Sequence, residues 1–269
     1  MKAWFVILFL ILVGGCATSP TGRSQLMLVS PQQAITASRE AYVQTLQPLQ
    51  QEGKIDSNPA VSKRVRTITG RLISQAIKMY PATQSWDWSV KVIDDPEQVN
   101  AWCMAGGKMA IYTGLLLKIK PTDDELAEVM AHEISHALAN HTAEKMSMAM
   151  ATQMGMLGVA MAAGDSKYSG MALSGGAMAA AVAITLPNSR TAESEADAMG
   201  IELAARAGYD PRAAVTLWDK MGKVGGASPP QFLSTHPSPG NRQATLSALA
   251  TKMMPYYQQP GPHPVYPLK

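Results

Sequence analysis

Two histidines four positions apart, in the middle of a long helical pattern, constrain this chain more than any other feature. The local sequence is His132-Glu133-Ile134-Ser135-His136. Residues four apart lie on one face of a helix, so both imidazoles can reach one metal ion. Glu133 flanks that ion, where a general base for an attacking water belongs, and Zn²⁺ lowers the pKa of such a water toward about 7. The motif predicts a zinc-binding helix with Glu133 as the catalytic residue.

The surroundings of the motif favour a helix within the protein core. Thr122 and Glu125 have the spacing of a capping box, which marks the start of this helix. The flanking residues are uncharged: Val129, Met130, Ala131, Ala137 and Leu138. The alternative is a surface helix that carries two solvated histidines and binds no metal.

A catalytic zinc ion needs a third protein ligand and an open position. The metzincin pattern is excluded, because Ala139 and Thr142 stand where it requires glycine and histidine. The better candidate is Glu193, which lies on a later predicted helix four residues before Asp197. We expect Glu193 to bind the metal and Asp197 to orient the ring N–H of a ligand histidine. The alternative is an ordinary charged helix face.

Two further polar residues near these motifs are not expected to bind the metal. His141 follows His136 by five positions, off the metal-facing side of the helix, and we predict a structural role for it. Glu195 lies on the opposite side of its helix from Glu193, so we expect it to be solvated or salt-bridged.

The N-terminus has the features of an export signal. Lys2 precedes an apolar run over residues 3–13, which is too short to span a bilayer comfortably, and two glycines lead into Cys16. This arrangement predicts a lipoprotein signal peptide at residues 1–15, lipidation of Cys16 and a tether over residues 16–30. The alternative is an ordinary secretory signal in which Cys16 is incidental.

Composition limits the remaining classes. The net charge is only +3 and no basic stripe with interleaved aromatics is present, so we expect no nucleic-acid partner. With Cys16 lipidated, Cys103 has no partner within the chain, and its apolar neighbours predict a core strand residue. We expect one metallopeptidase domain over residues 31–254 and an irregular Pro/Tyr-rich tail over residues 255–269.

Hydrophobic periodicity predicts helices before and after a group of strands. The expected helices cover residues 31–47, 59–80, 122–138, 191–207, 211–223 and 240–253, and the expected strands cover residues 86–93, 100–104 and 108–113. Residues 146–163 and 170–186, rich in Met, Ala and Gly, are expected to form a helical hairpin near the site. Neither piece is a convincing membrane span.

Several segments together resemble the HtpX-like zinc metalloendopeptidases, a family that includes CAAX prenyl proteases, the mitochondrial Oma-type protease and bacterial periplasmic lipoproteins. The matching pieces are residues 22–29, 100–108, 111–116, 132–136, 189–200 and 235–237. The resemblance implies an α+β minimal gluzincin (zincin) fold, mainly helical, with a small mixed sheet over the zinc-binding helix. It also implies one Zn²⁺ per chain.

The resemblance suggests roles for two further parts of the chain. It implies that an edge strand pairs with an extended substrate, and this strand is formed by Lys108, Met109, Ala110, Ile111 and Tyr112. It also places His236 near the metal, as a possible fourth ligand or regulatory residue that holds the enzyme inactive. The alternative for His236 is a capping or loop histidine before Pro237.

The expected function is hydrolysis of peptide bonds by a lipid-anchored enzyme that faces the periplasm, and the resemblance implies that its substrates are unfolded or misassembled envelope proteins. Ala17 stands where an aspartate would favour inner-membrane retention, so the resemblance favours the outer membrane. Envelope assembly machinery is an expected partner. The alternatives are a zinc-binding chaperone or assembly factor with latent peptidase activity, and a structural lipoprotein that uses its Met/Ala-rich segment for docking.

Overall fold

The computed structural model describes residues 16–162, 187–224, 231–237 and 240–268. The strands are β1 Cys16–Thr18, β2 Ser24–Leu26, β3 Ser89–Ile93, β4 Ala101–Met104 and β5 Lys108–Tyr112. The first helices are α1 Pro31–Gln51, α2 Pro59–Met79, α3 Thr113–Ile119, α4 Asp123–Leu138 and α5 His141–Ala162. They are followed by α6 Arg190–Arg206, α7 Ala213–Val224, α8 Gln231–Thr235 and α9 Arg242–Tyr257, and a short 3₁₀ helix spans Pro81–Ser85.

The fold is mainly helical with small sheets, as the sequence predicted. Helix α4 lies in the core with β4 and α2 packed against it, and α6 packs along it as well. Every residue of α4 from Glu125 to Leu138 is buried. Thr122 caps the helix with its side chain, and Glu125 completes the capping box. The alternative of a solvated surface helix is therefore wrong.

The main sheet has the order β3-β5-β4, with β3 parallel and β4 antiparallel to β5. The prediction that Lys108–Tyr112 forms the edge strand is therefore wrong, because this segment is the central strand. Gly106 and Gly107 both have positive φ values, and their turn folds β5 back along β4. Among the described strands, β4 is the edge next to α4.

Two prolines are tolerated inside helices, so these helices run further than expected. Pro48 is exposed on α1, and the backbone N–H of Glu52 still donates to its carbonyl. Pro255 lies inside α9, which ends at Tyr257 instead of residue 253. The segment after α9 has no helix or strand as far as residue 268, and the N–H of Tyr266 donates to the carbonyl of Gly70.

The predicted tether over residues 16–30 is folded. Strands β1 and β2 pair in an antiparallel hairpin in which Cys16 is the partner of Leu26. Gln25 is buried, and its side-chain amide donates to the carbonyl of Ala139 at 2.8 Å. Polar contacts hold this hairpin to the domain, which explains why hydrophobic periodicity did not reveal it.

The Met/Ala-rich region is only partly described. Helix α5 covers the first predicted piece and begins earlier, at His141. The second piece, residues 170–186, lies outside the described residues. Among the helices in the described ranges, none combines the length and apolar character required to span a bilayer.

Candidate metal centre

The site lies where α4 and α6 approach each other closely. Gly200 of α6 faces the backbone of α4, and a Cβ atom at this position would lie 3.0 Å from both the N and Cα atoms of His132. A side chain at this position would therefore require the two helices to move apart by a few tenths of an ångström. The close approach brings the first turns of α6, which carry Glu193 and Asp197, beside the two histidines of α4.

Three side chains present their ligand atoms to one point. The Nε2 atoms of His132 and His136 are 3.0 Å apart; His132 Nε2 lies 3.4 Å from Oε2 of Glu193, and His136 Nε2 lies 3.4 Å from its Oε1. A tetrahedral ion with bonds of about 2.0–2.1 Å requires ligands roughly 3.3 Å apart. All three residues are buried. Both the spacing and the N/O donor set therefore fit zinc.

His236 is the fourth member of this group. One ligand atom from each of His132, His136, Glu193 and His236 lies within 4.8 Å of the others. The His236 ring stacks on Phe232, with ring centroids 4.3 Å apart, and its Nε2 lies 3.3 Å from Glu133 Oε1. His236 is thus a buried member of the site, and it also directly follows the last residue of α8, where its Nδ1 lies 3.0 Å from the carbonyl oxygen of Phe232.

Glu133 lies beside the cluster without joining it. Its carboxyl is buried, and Oε1 has no hydrogen-bond partner of suitable geometry. Such an atom is costly to bury unless something else completes its hydrogen bonding. A water or substrate group in the adjacent cavity would do so, and that cavity is also lined by Trp102, Cys103, Lys145 and Asn188.

Two other groups in the cavity wall have shifted pKa values. Burial raises the pKa of the Cys103 thiol well above its usual value, so Cys103 is a neutral core residue of β4 as predicted. Burial lowers the pKa of the Lys145 ammonium to about 8, although the charge of Glu133 opposes this shift. The cavity is therefore an environment in which an isolated charge is expensive.

Asp197 holds the second nitrogen of His132. Its Oδ1 lies 3.1 Å from His132 Nδ1 and accepts a 2.6 Å hydrogen bond from Arg242. The Arg242 guanidinium is 3.4 Å from the ring centroid of Trp218. Burial lowers the pKa of His132, but hydrogen bonds to Asp197 and Glu193 outweigh it, and the net shift is upward.

Glu193 is surrounded by donors and is strongly biased toward its charged form. Asn188 donates to Oε1 at 2.7 Å, and Arg242 lies 3.4 Å from Oε2. Burial alone raises the pKa of this carboxyl, but the contacts with His132 and His136 hold it far below its usual value. A charged, oriented carboxylate of this kind is a suitable metal ligand.

Sequence reasoning missed the partners of His136. His141 Nδ1 lies 2.7 Å from His136 Nδ1, and His141 Nε2 lies 3.1 Å from Glu195 Oε2. Glu195 is buried and salt-bridged to Arg23 of the N-terminal hairpin at 2.8 Å. These residues come from separate elements, so no local spacing could have shown the contacts. The matching segment at residues 22–29 was the only signal for this region.

The comparisons with known proteins agree with this geometry. The chain matches the model of Peptidase family M48 over residues 56–250, more than half of its length. The chain belongs to peptidase family M48. The resemblance drawn from the sequence is thus confirmed at the family level. Peptidases of this family use zinc, and the described residues include a His/Glu cluster able to bind it.

Curated relatives include mitochondrial and bacterial proteins. The chain is similar to the mitochondrial metalloendopeptidase OMA1 of Saccharomyces cerevisiae, 29% identical over 93% of this chain and 75% of that protein. It is 32% identical to human OMA1 over 85% of this chain and 44% of the relative. It is 30% identical to the β-barrel assembly-enhancing protease of Escherichia coli K12, over 76% of this chain and 42% of the relative.

The lengths of these relatives differ from the length of this chain. The match to Arabidopsis thaliana OMA1 covers 32% of that protein, so the chain spans under half of several relatives. The part of this chain that matches the family model, residues 56–250, contains the helices that carry the His/Glu cluster.

Proposed function

We propose that this protein is a zinc metalloendopeptidase in which His132, His136 and Glu193 bind the ion and Glu133 is the general base. The observation that carries the proposal is the spacing of 3.0–3.4 Å between the three ligand groups, next to a buried carboxylate oxygen without a hydrogen-bond partner. Membership of family M48 supports it independently.

The chain's own residues divide the work of hydrolysis. Bound zinc would polarise the scissile carbonyl and acidify an attacking water. Glu133 takes the proton from that water and delivers it to the leaving amine. Asp197 holds the His132 ring in the orientation that leaves Nε2 free for the metal. The burial of these groups strengthens each of these electrostatic contacts.

The decisive test replaces Glu133 and keeps everything around it. Glu133→Gln should lower kcat for an unfolded polypeptide such as denatured casein by about 10²–10⁴-fold, since an amide cannot accept the proton. Metal analysis of the same sample should still give about one zinc per chain. Glu202→Gln on α6, where Glu202 pairs with Arg206 away from the site, is the matched control and should retain full activity.

Either of two results would contradict the proposal. Unchanged cleavage by Glu133→Gln would remove Glu133 from the mechanism. A wild-type protein that binds no zinc when zinc is supplied would exclude a metal centre altogether, including a purely structural one.

The sheet topology changes the expected substrate contact. Since Lys108–Tyr112 is central, an extended substrate would pair with β4 instead. This strand lines the same cavity as Glu133 and His136, through Ala101, Trp102 and Cys103. Pairing through backbone groups gives affinity without demanding particular side chains, which suits a protease that acts on unfolded chains.

We propose that the substrates are unfolded or misassembled envelope proteins. We also propose that the protein is anchored in the cell envelope by a lipid at Cys16 and faces the periplasm. The support is the small-residue sequence before Cys16 and the similarity to bacterial proteins named β-barrel assembly-enhancing proteases. The residue after the cysteine, Ala17, favours the outer membrane. Mass spectrometry of the mature N-terminus tests the lipid, and fractionation of the two membranes tests the location.

A second candidate function is a chaperone or assembly factor whose peptidase activity is latent. The observation that favours it is the position of His236, whose ligand atom shares the cluster and whose Nε2 faces Glu133. A fourth ligand would occupy the position that substrate and water require.

The variant His236→Ala distinguishes the two candidates. The latent state predicts higher activity in the variant at unchanged zinc content, measured with the same unfolded substrate. A fall in kcat would instead make His236 a helper of catalysis, and equal activity in both proteins would exclude both roles.

A further inference from the structure

His136 is held by a chain of hydrogen bonds that begins outside the site. Its Nδ1 atom is 2.7 Å from His141 Nδ1, and His141 Nε2 is 3.1 Å from Glu195 Oε2. His141 is 2% exposed, and the Glu195 side chain is 3% exposed. Neither residue reaches the metal cluster itself, so the proposed hydrolysis gives them no task.

Glu195 determines which atom donates and which accepts in each of these hydrogen bonds. It is paired with Arg23, whose Nε donates to Oε2 at 2.8 Å, and Thr21 donates to Oε1. A carboxylate paired in this way only accepts hydrogen bonds. A neutral His141 must therefore donate through Nε2, which leaves its Nδ1 as an acceptor. His136 must then donate through Nδ1, and the lone pair of its Nε2 is left for the metal.

We propose that His141 and Glu195, held by Arg23, form a tautomer relay that fixes the ring orientation and the tautomer of His136. They are positioning residues, and the inference rests on the proposed role of His136 as a metal ligand. The relay is the counterpart of Asp197, which acts on the other ligand histidine directly. It uses a second imidazole to bridge the distance from α4 to the carboxylate.

Arg23 connects this relay to the N-terminal hairpin. Its two terminal nitrogens donate to the two oxygens of Glu144, each at 2.7 Å, and its Nε donates to Glu195. Gln25 of β2 donates to the same Glu144 at 2.9 Å. The folded hairpin is thus part of the structure that orients a ligand of the metal.

The tautomers can be read directly from the zinc-loaded full chain in detergent. Long-range ¹H–¹⁵N correlation spectra with labelled histidine should show His136 protonated at Nδ1 and His141 protonated at Nε2 alone. Signals of the two residues are assigned by their loss in single variants. A proton on His141 Nδ1 would overturn the relay, whatever the activity of the protein.

A pair of substitutions at one position separates the relay from simple packing. The amide oxygen of asparagine stands where the Nδ1 of histidine does and still accepts a hydrogen bond, whereas leucine has similar size and accepts none. His141→Leu should weaken zinc binding by about 10–100-fold in competition with a chelator. His141→Asn should recover most of that loss. Equal affinities for the two variants would overturn the relay.

The hairpin is tested at Arg23. Arg23→Met should weaken zinc binding several-fold, because Glu195 loses a donor. Arg66→Met removes another partly buried ion pair, with Asp56, away from the site, and should leave zinc affinity unchanged. Thermal melting checks that each variant is folded. A wild type that binds no zinc would reject the proposed function, whereas normal zinc binding by His141→Leu would reject the relay alone.

Discussion

At the scale of single residues, the carboxylates of Glu193 and Asp197 share one buried cation. Arg242 is 4% exposed, lies 2.6 Å from Asp197 and 3.4 Å from Glu193, and stacks on Trp218. Without the Arg242 guanidinium, the two carboxylates would be buried close together with no fixed cation to balance their charge. Removing one partner of a buried ion pair is costly because the other charge stays buried.

We therefore expect Arg242→Met to lower the free energy of unfolding by about 3–5 kcal/mol. Arg212→Met is the control, since Arg212 pairs with Asp210 at the surface and its side chain is 69% exposed; it should leave the free energy of unfolding nearly unchanged. Chemical denaturation of both variants at the same zinc concentration measures the difference. Equal losses would show that Arg242 contributes no more than a surface pair.

The same residues show how far sequence reasoning reaches at a site. His132 with His136 and Glu193 with Asp197 were predictable pairs, because each pair lies on one helix at a spacing of four. Arg242 belongs to a different helix, and its contact depends on how α9 packs. Local spacing carries no information about such distant partners.

At the scale of elements, the contact between α4 and α6 depends on one position without a side chain. The Cβ of an alanine at position 200 would meet backbone atoms of His132, which cannot rotate away as a side chain could. The two helices would have to separate, and Glu193 would move with α6. Packing and metal binding are therefore coupled at Gly200.

Gly200→Ala should cost about 1–3 kcal/mol of stability and weaken zinc binding as well. Gly222→Ala is a matched control, since nothing lies within 4 Å of the added atom and the residue is also helical. The control should stabilise the protein by up to about 1 kcal/mol, as alanine favours a helix. Denaturation and chelator competition test both variants, and a stable Gly200→Ala protein with normal zinc affinity would contradict this account.

Element boundaries were more predictable than element order. The helix α2, with its apolar stripe, and the capped helix α4 were predicted nearly to their observed ends. The order of β3, β4 and β5 was not, because an alternating pattern shows which face is buried but not which strand is the neighbour. Burial of β5 from Lys108 to Ile111 is typical of a central strand.

At the scale of the whole molecule, the proposed metal joins α4 to α6 and so contributes to global stability. A ligand present at about 100 times its dissociation constant adds about 2.7 kcal/mol to the folded state. For a chain of this size, 1 kcal/mol changes the melting temperature by about 2–4 °C.

Removal of zinc by a chelator should therefore lower the melting temperature by roughly 5–10 °C. Readdition of zinc should restore the original value, which calorimetry can follow. The variant Glu193→Ala, which lacks one proposed ligand, should melt at nearly the same temperature with and without the chelator. A chelator effect of equal size in that variant would mean that the stabilising metal binds elsewhere.

The pairing of Cys16 with Leu26 bears on the distance that can separate the catalytic cavity from a membrane. If Cys16 carries a lipid, the acylated residue belongs to a strand, so no flexible linker separates the bilayer from the folded protein. The catalytic cavity would then stay on the order of 50 Å or less from the headgroups. Substrate proteins would then have to approach the membrane surface to be cleaved, whereas a protein deep in the periplasm would not reach the cavity.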